Sequence, residues 1–439
     1  MKNALDLEKP QVGFVIDDGG DERPAVLRDT GNRIELSIVK HDEGQTLLQI
    51  VDDDNGENFE KDPQYGACIG FNADYAYTLI NCEYSSSRAS SGVGITTIIP
   101  EKVVTGVARK DLDTIDGMLT SMDGLSQWLG LSRFQWEQED LKQTLTVEDT
   151  PEKEMGWSDG LSYGQKWFIQ LRHDSAVVSN QVYLKTFLPD KSWSEHLRVH
   201  RLISELMSVA DCRTHTYKDM KAYKARPGAA LSRKIERDDW RDVLSYTPVV
   251  DRSAVDHETT FLFTYKDLSD GGVERWNELC SGCAQGMTIL LYLIREFDNL
   301  AIETKAVLVG AILECVGWYS IVSNNDTKRM GTRKDRVTGE KRPAPPKFET
   351  LLEVLIESFE DDLPFKDINL WKDCIYDSYM GSKHPDARKM ELDEMYYAVM
   401  EAIVLVRMWV GGQVGADLKT MKDRLSNDRI GGSLRPHIA

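Results

Sequence analysis

The chain has 439 residues, 41% of them hydrophobic and 28% charged, which is the balance of a folded globular protein and excludes a mainly disordered, collagenous or low-complexity chain. Its 53 Lys and Arg against 72 Asp and Glu leave a net charge of -19, so any nucleic-acid contact must be confined to a local basic surface. Seven scattered cysteines (68, 82, 212, 280, 283, 315 and 374), most among apolar residues, fit reduced thiols in the cytoplasm, and MKNALDLEKPQV lacks the apolar core of a secretory signal.

From residue 11 to about 110 short β-rich runs alternate with turn signals: VGFVID, PAVLRD, RIELSIVK, TLLQIVD, YAYTLINCEY and GITTIIPEKVV. This predicts an antiparallel β region, and with fifteen acidic and six basic side chains in residues 1–60 its turns form an acidic, solvated surface. Apolar positions 118, 119, 122, 125, 128 and 129 predict a helix over 116–131. WFIQLRH and NQVYLKTFL read as strands, and Ser192 with Glu195 three residues on is a capping box opening a helix. Residues 213–257 show no clear period, and TTFLFTY reads as the last strand, so the β-rich domain spans 1–270.

Beyond Gly272 the period is helical, with helices expected at 273–299, 303–324, 347–360, 365–383 and 391–413, a bundle over 271–418, then a frayed tail over 419–439. The fold class is α+β. Ala306–Ser323 is the longest apolar stretch, but it is short, carries Glu314 and two glycines, and is expected inside the bundle, not in a membrane. Leu392, Met395, Tyr396, Val399, Ile403, Val406 and Val410 form one apolar stripe on the last helix, a packing face.

Several patterns carry no chemistry. Cys280 and Cys283 form a lone CxxC without a second pair of zinc ligands, and His196 and His200, four apart on a helix, have no evident third ligand. Neither DDGGDE nor GGQVG sits between a strand and a helix as phosphate loops require, and no glycine-flanked serine marks a hydrolase elbow. No cofactor and no metal site are expected.

Two segments stand out. Lys328, Arg329, Arg333, Lys334, Arg336, Lys341 and Arg342 against Asp335 and Glu340 give +5 in a connection too long and polar for ordinary bundle topology. It reads as a mobile loop that either contacts phosphates or is merely solvated, with Arg329, Arg333, Lys334 and Arg336 as the RNA-binding candidates. In WKDCIYDSYMGSKHPDARKM (371–390), Pro385 forces His384 out of helical geometry at a helix end, a position suited to a reactive histidine and also to a structural one.

Residues 375–415, with Tyr379, Gly381, Lys383, His384, Arg388, Arg407 and Trp409, resemble the end of the HEPN domain of ApeA-like abortive-infection proteins. Residues 86–131, with Ser-Ser-Arg, Ile-Thr-Thr and the Leu125–Gly130 run, and residues 181–210 are similar to the N-terminal domain of the same family. The resemblance implies a β-rich sensing domain joined to a HEPN bundle in a prokaryotic anti-phage protein that cleaves RNA without metal, transfer RNA being a common target of such toxins. It implies His384 as acid/base, Lys383 or Arg388 at the scissile phosphate, and Tyr379 orienting histidine or substrate, since histidine can shuttle protons while a cation stabilises phosphate charge. It also implies a phage-derived trigger and a homodimer, for which an Arg407 and Trp409 face is available. The family's motif has an arginine four to six residues before the histidine. Here Tyr379, Ser378 and Asp377 precede His384 by five to seven, so another cation must serve, or the domain binds RNA or a partner protein without cleaving.

Overall fold

The computed structural model describes residues 10–434 apart from 17–21, 42–67, 73–74, 91–92, 108, 110, 132–133, 141, 157–159, 174, 226–238, 251–258, 336, 360–361, 366, 385 and 387–389. The antiparallel β region followed by helices matches the expected α+β class.

The first six strands are β1 (Gln11–Ile16), β2 (Glu22–Asp29), β3 (Ile34–His41), β4 (Cys68–Asn72), β5 (Tyr75–Ser90) and β6 (Val93–Thr105). They pair antiparallel in the order β6, β3, β2, β1, β4, β5, and β5 returns to β6, so the circuit closes into a small barrel. Alternation explains the closure: Ala25 and Leu27 on β2 and Leu36 and Ile38 on β3 turn inward onto Leu79, Ile98 and Val103, while Val26 and Ser37 face out.

The sheet continues through β7 (Thr114–Met122), a short helix α1 (Leu125–Trp128), an exposed hairpin of β8 (Gln135–Glu139) and β9 (Lys142–Thr146), then β10 (Thr150–Glu154), β11 (Leu161–Arg172) and β12 (Ser175–Ser192). Helix α2 (Trp193–Asp211) follows, then β13 (Tyr217–Tyr223) and β14 (Arg241–Ser245). The second half of the sheet runs β10, β11, β12, β7, β13, β14, and β14 joins the barrel at β6. Two expectations fail here. Residues 114–122 are a strand, not the start of a helix, because both faces are covered and the apolar run therefore lost its alternation. TTFLFTY is not a strand: Phe261, Leu262 and Phe263 are buried, and Leu262 is anchored by its N–H to the Ala210 carbonyl (2.9 Å).

Helix α2 opens as expected. The Ser192 hydroxyl accepts the Glu195 N–H (3.3 Å) while the Glu195 carboxylate accepts the Ser192 N–H (2.9 Å), and that N–H, the Ser192 hydroxyl (2.8 Å) and Lys191 (3.1 Å) hold the carboxyl down at about 2. One side of α2 lies on β7 and β12; the other packs on the helical region. That region comprises α3 (Gly272–Gly282), α4 (Ala284–Arg295), α5 (Ile302–Ser323), α6 (Phe348–Glu357), α7 (Ile368–Lys383), α8 (Leu392–Gln413) and α9 (Leu418–Arg424). The helices begin at Gly272, and the helix expected over 273–299 breaks at Cys283 into two. The hydrophobic core crosses from sheet to helices without a gap, running from Leu125 and Val199 to Leu434.

Helix α8 is central, and every residue from Ala398 to Gly411 is buried, so it presents no single stripe; Leu392 and Tyr396 of the expected stripe are exposed at its start. Arg407 and Trp409 lie inside the protein and form no dimer face. By length and composition α5 and α8 would cross a membrane; here half of the most apolar window of α5 and 83% of that of α8 is buried against neighbouring elements.

The expected tail is also corrected. α9 and the turns after it bury Met421, Leu425, Ile430 and Leu434. The reason is a charge pair that no local pattern displays. Arg407 donates to both carboxylate oxygens of Asp428 (2.8 Å each) and to the Val209 and Ala210 carbonyls at the end of α2 (2.7 Å each), with both ionic side chains fully buried. Burial pushes the Asp428 carboxyl up, but the Arg407 charge and the Ile430 and Gly431 amides outweigh it and hold it below the usual range. The stabilisation this gives is complete above the unfolded aspartate pKa of about 3.9 and fades as pH falls through the lower folded value.

Asp428→Ala leaves a buried, uncompensated guanidinium and is expected to cost about 3–5 kcal/mol. Urea unfolding at pH 7 checks the loss, and a titration below pH 4 should show a flatter acid limb in the variant than in the wild type.

Candidate functional site

The site is built on α7. Asp367 caps its start by accepting the Leu370 N–H (2.9 Å), and Trp371, Cys374, Ile375, Ser378 and Tyr379 recur at three and four to form the buried face. The helix ends as expected. His384 is the C-cap in extended geometry (φ -121°, ψ 119°), its N–H donating to the Met380 carbonyl (2.8 Å), and its side chain is exposed beside that of Lys383.

Tyr379 is the hinge between this end and the core. Its ring stands 5.2 Å from that of Phe348, at the start of α6, and fills the space over Gly310 on α5, where a Cβ would collide with it. Its hydroxyl accepts from Lys383 Nζ (3.0 Å), and the same ammonium lies 4.8 Å above the ring. The hydroxyl contact raises the Lys383 pKa against a smaller desolvation effect, so the lysine is a fixed cation. By hydrogen bonding, then, the tyrosine positions Lys383. Ser378 is fully buried, its hydroxyl donating to the Cys374 carbonyl (2.7 Å) and lying against Met390 Sδ (3.1 Å). Arg388 lies outside the described residues.

The cationic segment differs from the loop expected. Gly331–Lys334 (β15) and Lys341–Ala344 (β16) form a two-stranded hairpin, with Asp335 closing its turn by accepting the Val337 (2.9 Å) and Thr338 (3.0 Å) N–H groups; these bonds hold its carboxyl below the usual range. Sequence reasoning missed the pairing because no apolar alternation marks either strand; the Thr338-Gly339 turn, with Gly339 at φ +72°, was the available signal.

The register sets Arg333 opposite Arg342 and Lys334 opposite Lys341, like charges in direct cross-strand pairs that repel, offset in part by the Asp335 carboxylate 3.4 Å from Arg342. Arg333 and Lys334 are exposed. Arg329 is held between Glu357 (2.8 Å) and Asp326 (3.5 Å), which places it in an ion-pair network at the end of α6; Arg336 lies outside the described residues. The hairpin and the end of α7 belong to one end of the bundle: Phe348, four residues past the last paired position, packs on Tyr376 and Tyr379.

The other motifs are structural. His196 and His200 are buried against the sheet. Thr186 Oγ1 bonds His196 Nδ1 (2.8 Å) and His200 Nε2 (3.0 Å), and Thr120 Oγ1 bonds His200 Nδ1 (2.7 Å). Burial pushes His196 down and His200 to about 3, so both are neutral at pH 7. Cys280 and Cys283 flank the α3–α4 break, and burial pushes their thiols up to about 12 and 11, the reverse of a reactive pair. Among the described residues no three His, Cys, Asp or Glu side chains converge as metal ligands.

With the fold and this site in view, comparison with known families is decisive for the N-terminal part. The family described as ApeA N-terminal domain 1 matches residues 12–278, well over half of the chain. The chain belongs to the ApeA family. The match takes in the barrel, the second half of the sheet, α2 and the start of α3, and sets this ApeA chain among anti-phage abortive-infection proteins. No curated protein and no solved structure matches the chain significantly.

Gly310→Ala is expected to lower stability by about 1–3 kcal/mol, because the added methyl displaces the Tyr379 ring. Comparing its urea midpoint with that of Gly310→Ala/Tyr379→Ala checks the packing: the double variant should lose less than the sum of the two single ones.

Proposed function

We propose that this ApeA protein is a cytoplasmic anti-phage effector whose helical region is a HEPN endoribonuclease acting without metal on host or phage RNA, transfer RNA being the substrate class to test first. The observation that carries the reading is the exposed Lys383–His384 pair at the end of α7, with the lysine fixed by Tyr379, at the end of the bundle from which the cationic hairpin rises. His384 takes the proton from the ribose 2'-hydroxyl and returns one to the leaving 5'-oxygen; Lys383 neutralises the phosphate oxygens as charge builds there. Arg333 and Lys334 on the hairpin hold the RNA backbone, Arg329 and Arg336 are further RNA contacts, and a second copy of the chain completes the site as a homodimer. The N-terminal domain answers a phage product.

A second reading has its own support. No cation sits a turn or two before His384: Tyr379 and Ser378 are buried, and Asp377 is acidic. On this view the site is a catalytically degenerate HEPN module that binds RNA or a partner protein.

Purified protein incubated with total transfer RNA in EDTA, alone and with extract of phage-infected cells, separates the two. Fragments ending in cyclic phosphate from wild type and none from His384→Ala are the expected outcome, with a loss of at least about 100-fold. Equal cleavage by both, or none by either in the presence of infected extract, removes the nuclease reading. Charge reversal of Arg333 and Lys334 should weaken RNA binding and reduce its dependence on log salt by about 0.7 to 0.9 for each phosphate no longer neutralised, read by anisotropy over 50–200 mM salt.

A further inference from the structure

A groove of about 1210 Å³ lies between the barrel, α2 and the segment Thr214–Tyr217, remote in sequence from α7 and the hairpin. Apart from Arg295 its lining falls within the residues that match the ApeA domain. Its volume exceeds the roughly 300–1,000 Å³ of sites for single small molecules.

Its long wall is α2, from Trp193 through Leu197 and Arg201 to Ser204, twelve residues spanning about 17 Å of helix. Extended chain rises about 3.4 Å per residue, so this wall is as long as five residues of an extended peptide.

The two ends differ in charge. At the Trp193 end the indole donates to the Leu112 carbonyl (2.7 Å), which fixes Asp113 beside it. Glu101 lies there as well, its carboxylate paired with the Lys102 ammonium buried over the Trp193 ring and accepting from Asn81 (2.6 Å), and Glu83 follows on β5, so this end keeps a net negative charge from Glu83 and Asp113. At the Ser204 end the cations are exposed Arg201 and Arg295. Arg295 closes α4, and Arg429 ties that point to the end of α2 by donating both to Asp298 (2.9 and 2.8 Å) and to the Cys212 carbonyl (3.0 Å). His215 joins this end fully buried between the carboxylates of Asp123 and Asp211 (3.7 Å each), its Nε2 without a hydrogen bond.

We propose that this groove binds an extended peptide segment of about five residues that carries a positive group at the Trp193 end and a carboxylate at the Arg201–Arg295 end. A nucleic-acid strand, uniformly anionic, is disfavoured by Glu83 and Asp113. Because Arg201 and Arg295 belong to α2 and α4, a bound segment touches the sheet domain and the helical region together. The proposal stands on the groove alone and is independent of whether His384 cleaves RNA.

Selection of random 12-residue peptides displayed on phage against the immobilised full-length protein, followed by anisotropy with the enriched peptides fluorescein-labelled, tests it. Enriched sequences should set a basic and an acidic residue four or five positions apart. Their Kd should rise at least about tenfold for Arg201→Glu/Arg295→Glu and recover when the acidic residue of the peptide is changed to Lys. Both arginines are exposed, and an unchanged thermal midpoint verifies that the double variant is folded. No enrichment over the bare support, peptide affinity unchanged in that variant, or an oligouridylate 12-mer that binds with the same dependence on the two arginines would each overturn the proposal.

Discussion

Among the described residues, the last turn of α2 is where polar contacts from the helical region fasten it to the sheet domain. The carbonyls that an α-helix leaves without partners at its end are here taken by other parts of the chain: Val209 and Ala210 by Arg407 of α8, Ala210 again by the Leu262 amide, and Cys212 by Arg429. Arg407 could not be buried there without Asp428, and Asp428 is in place only because the chain beyond α9 folds back. One guanidinium thus fastens three stretches of chain that are far apart in sequence. The pair is fully buried beside a large apolar core, with buried Asp211 also near Arg407, which makes it costly to break and sensitive to geometry.

Much of the architecture was legible, and the parts that were not share a cause. Local chemistry identified the start of α2 through Ser192 and Glu195, the end of α7 through Pro385, and the ends of α5, α6 and α8 to within a few residues. Burial on two faces hid β7, whose Met118, Leu119 and Met122 fit a helical spacing as well as a covered strand; Thr120, bonded to His200, was the residue at odds with an apolar helix face. The segment 418–434 looked polar because its anchor, Asp428, pairs with an arginine twenty-one residues earlier that is itself buried. Tertiary contacts decide such segments, and no window of sequence contains them.

The candidate site divides in the same way. His384 and Lys383 were visible because a proline and a helix end fix them locally, whereas the clasp of Tyr379 on Lys383 depends on Phe348 and Gly310 from two other helices. The cationic stretch was visible by charge alone. That it forms a ladder of like charges is a matter of register, which turns a diffuse property of composition into a surface of defined spacing. The groove along α2 had no signature at all, since its walls come from segments more than a hundred residues apart.

The closed circuit of β1 to β6 bears on solubility. Open sheets end in rows of free amides and carbonyls that recruit strands from neighbouring molecules, and a defence protein must accumulate at rest without doing so. Among the described residues the main sheet ends only at β10, whose five residues are Thr-Pro-Glu-Lys-Glu. That strand is short, interrupted by Pro151 and lined with charge, three properties that each oppose templated pairing. Among the described residues the strand order thus ends at an edge guarded by its composition, while the far end of the β11–β12 hairpin, with exposed Ile169, Leu171 and Val177, extends beyond its outer neighbours without that protection.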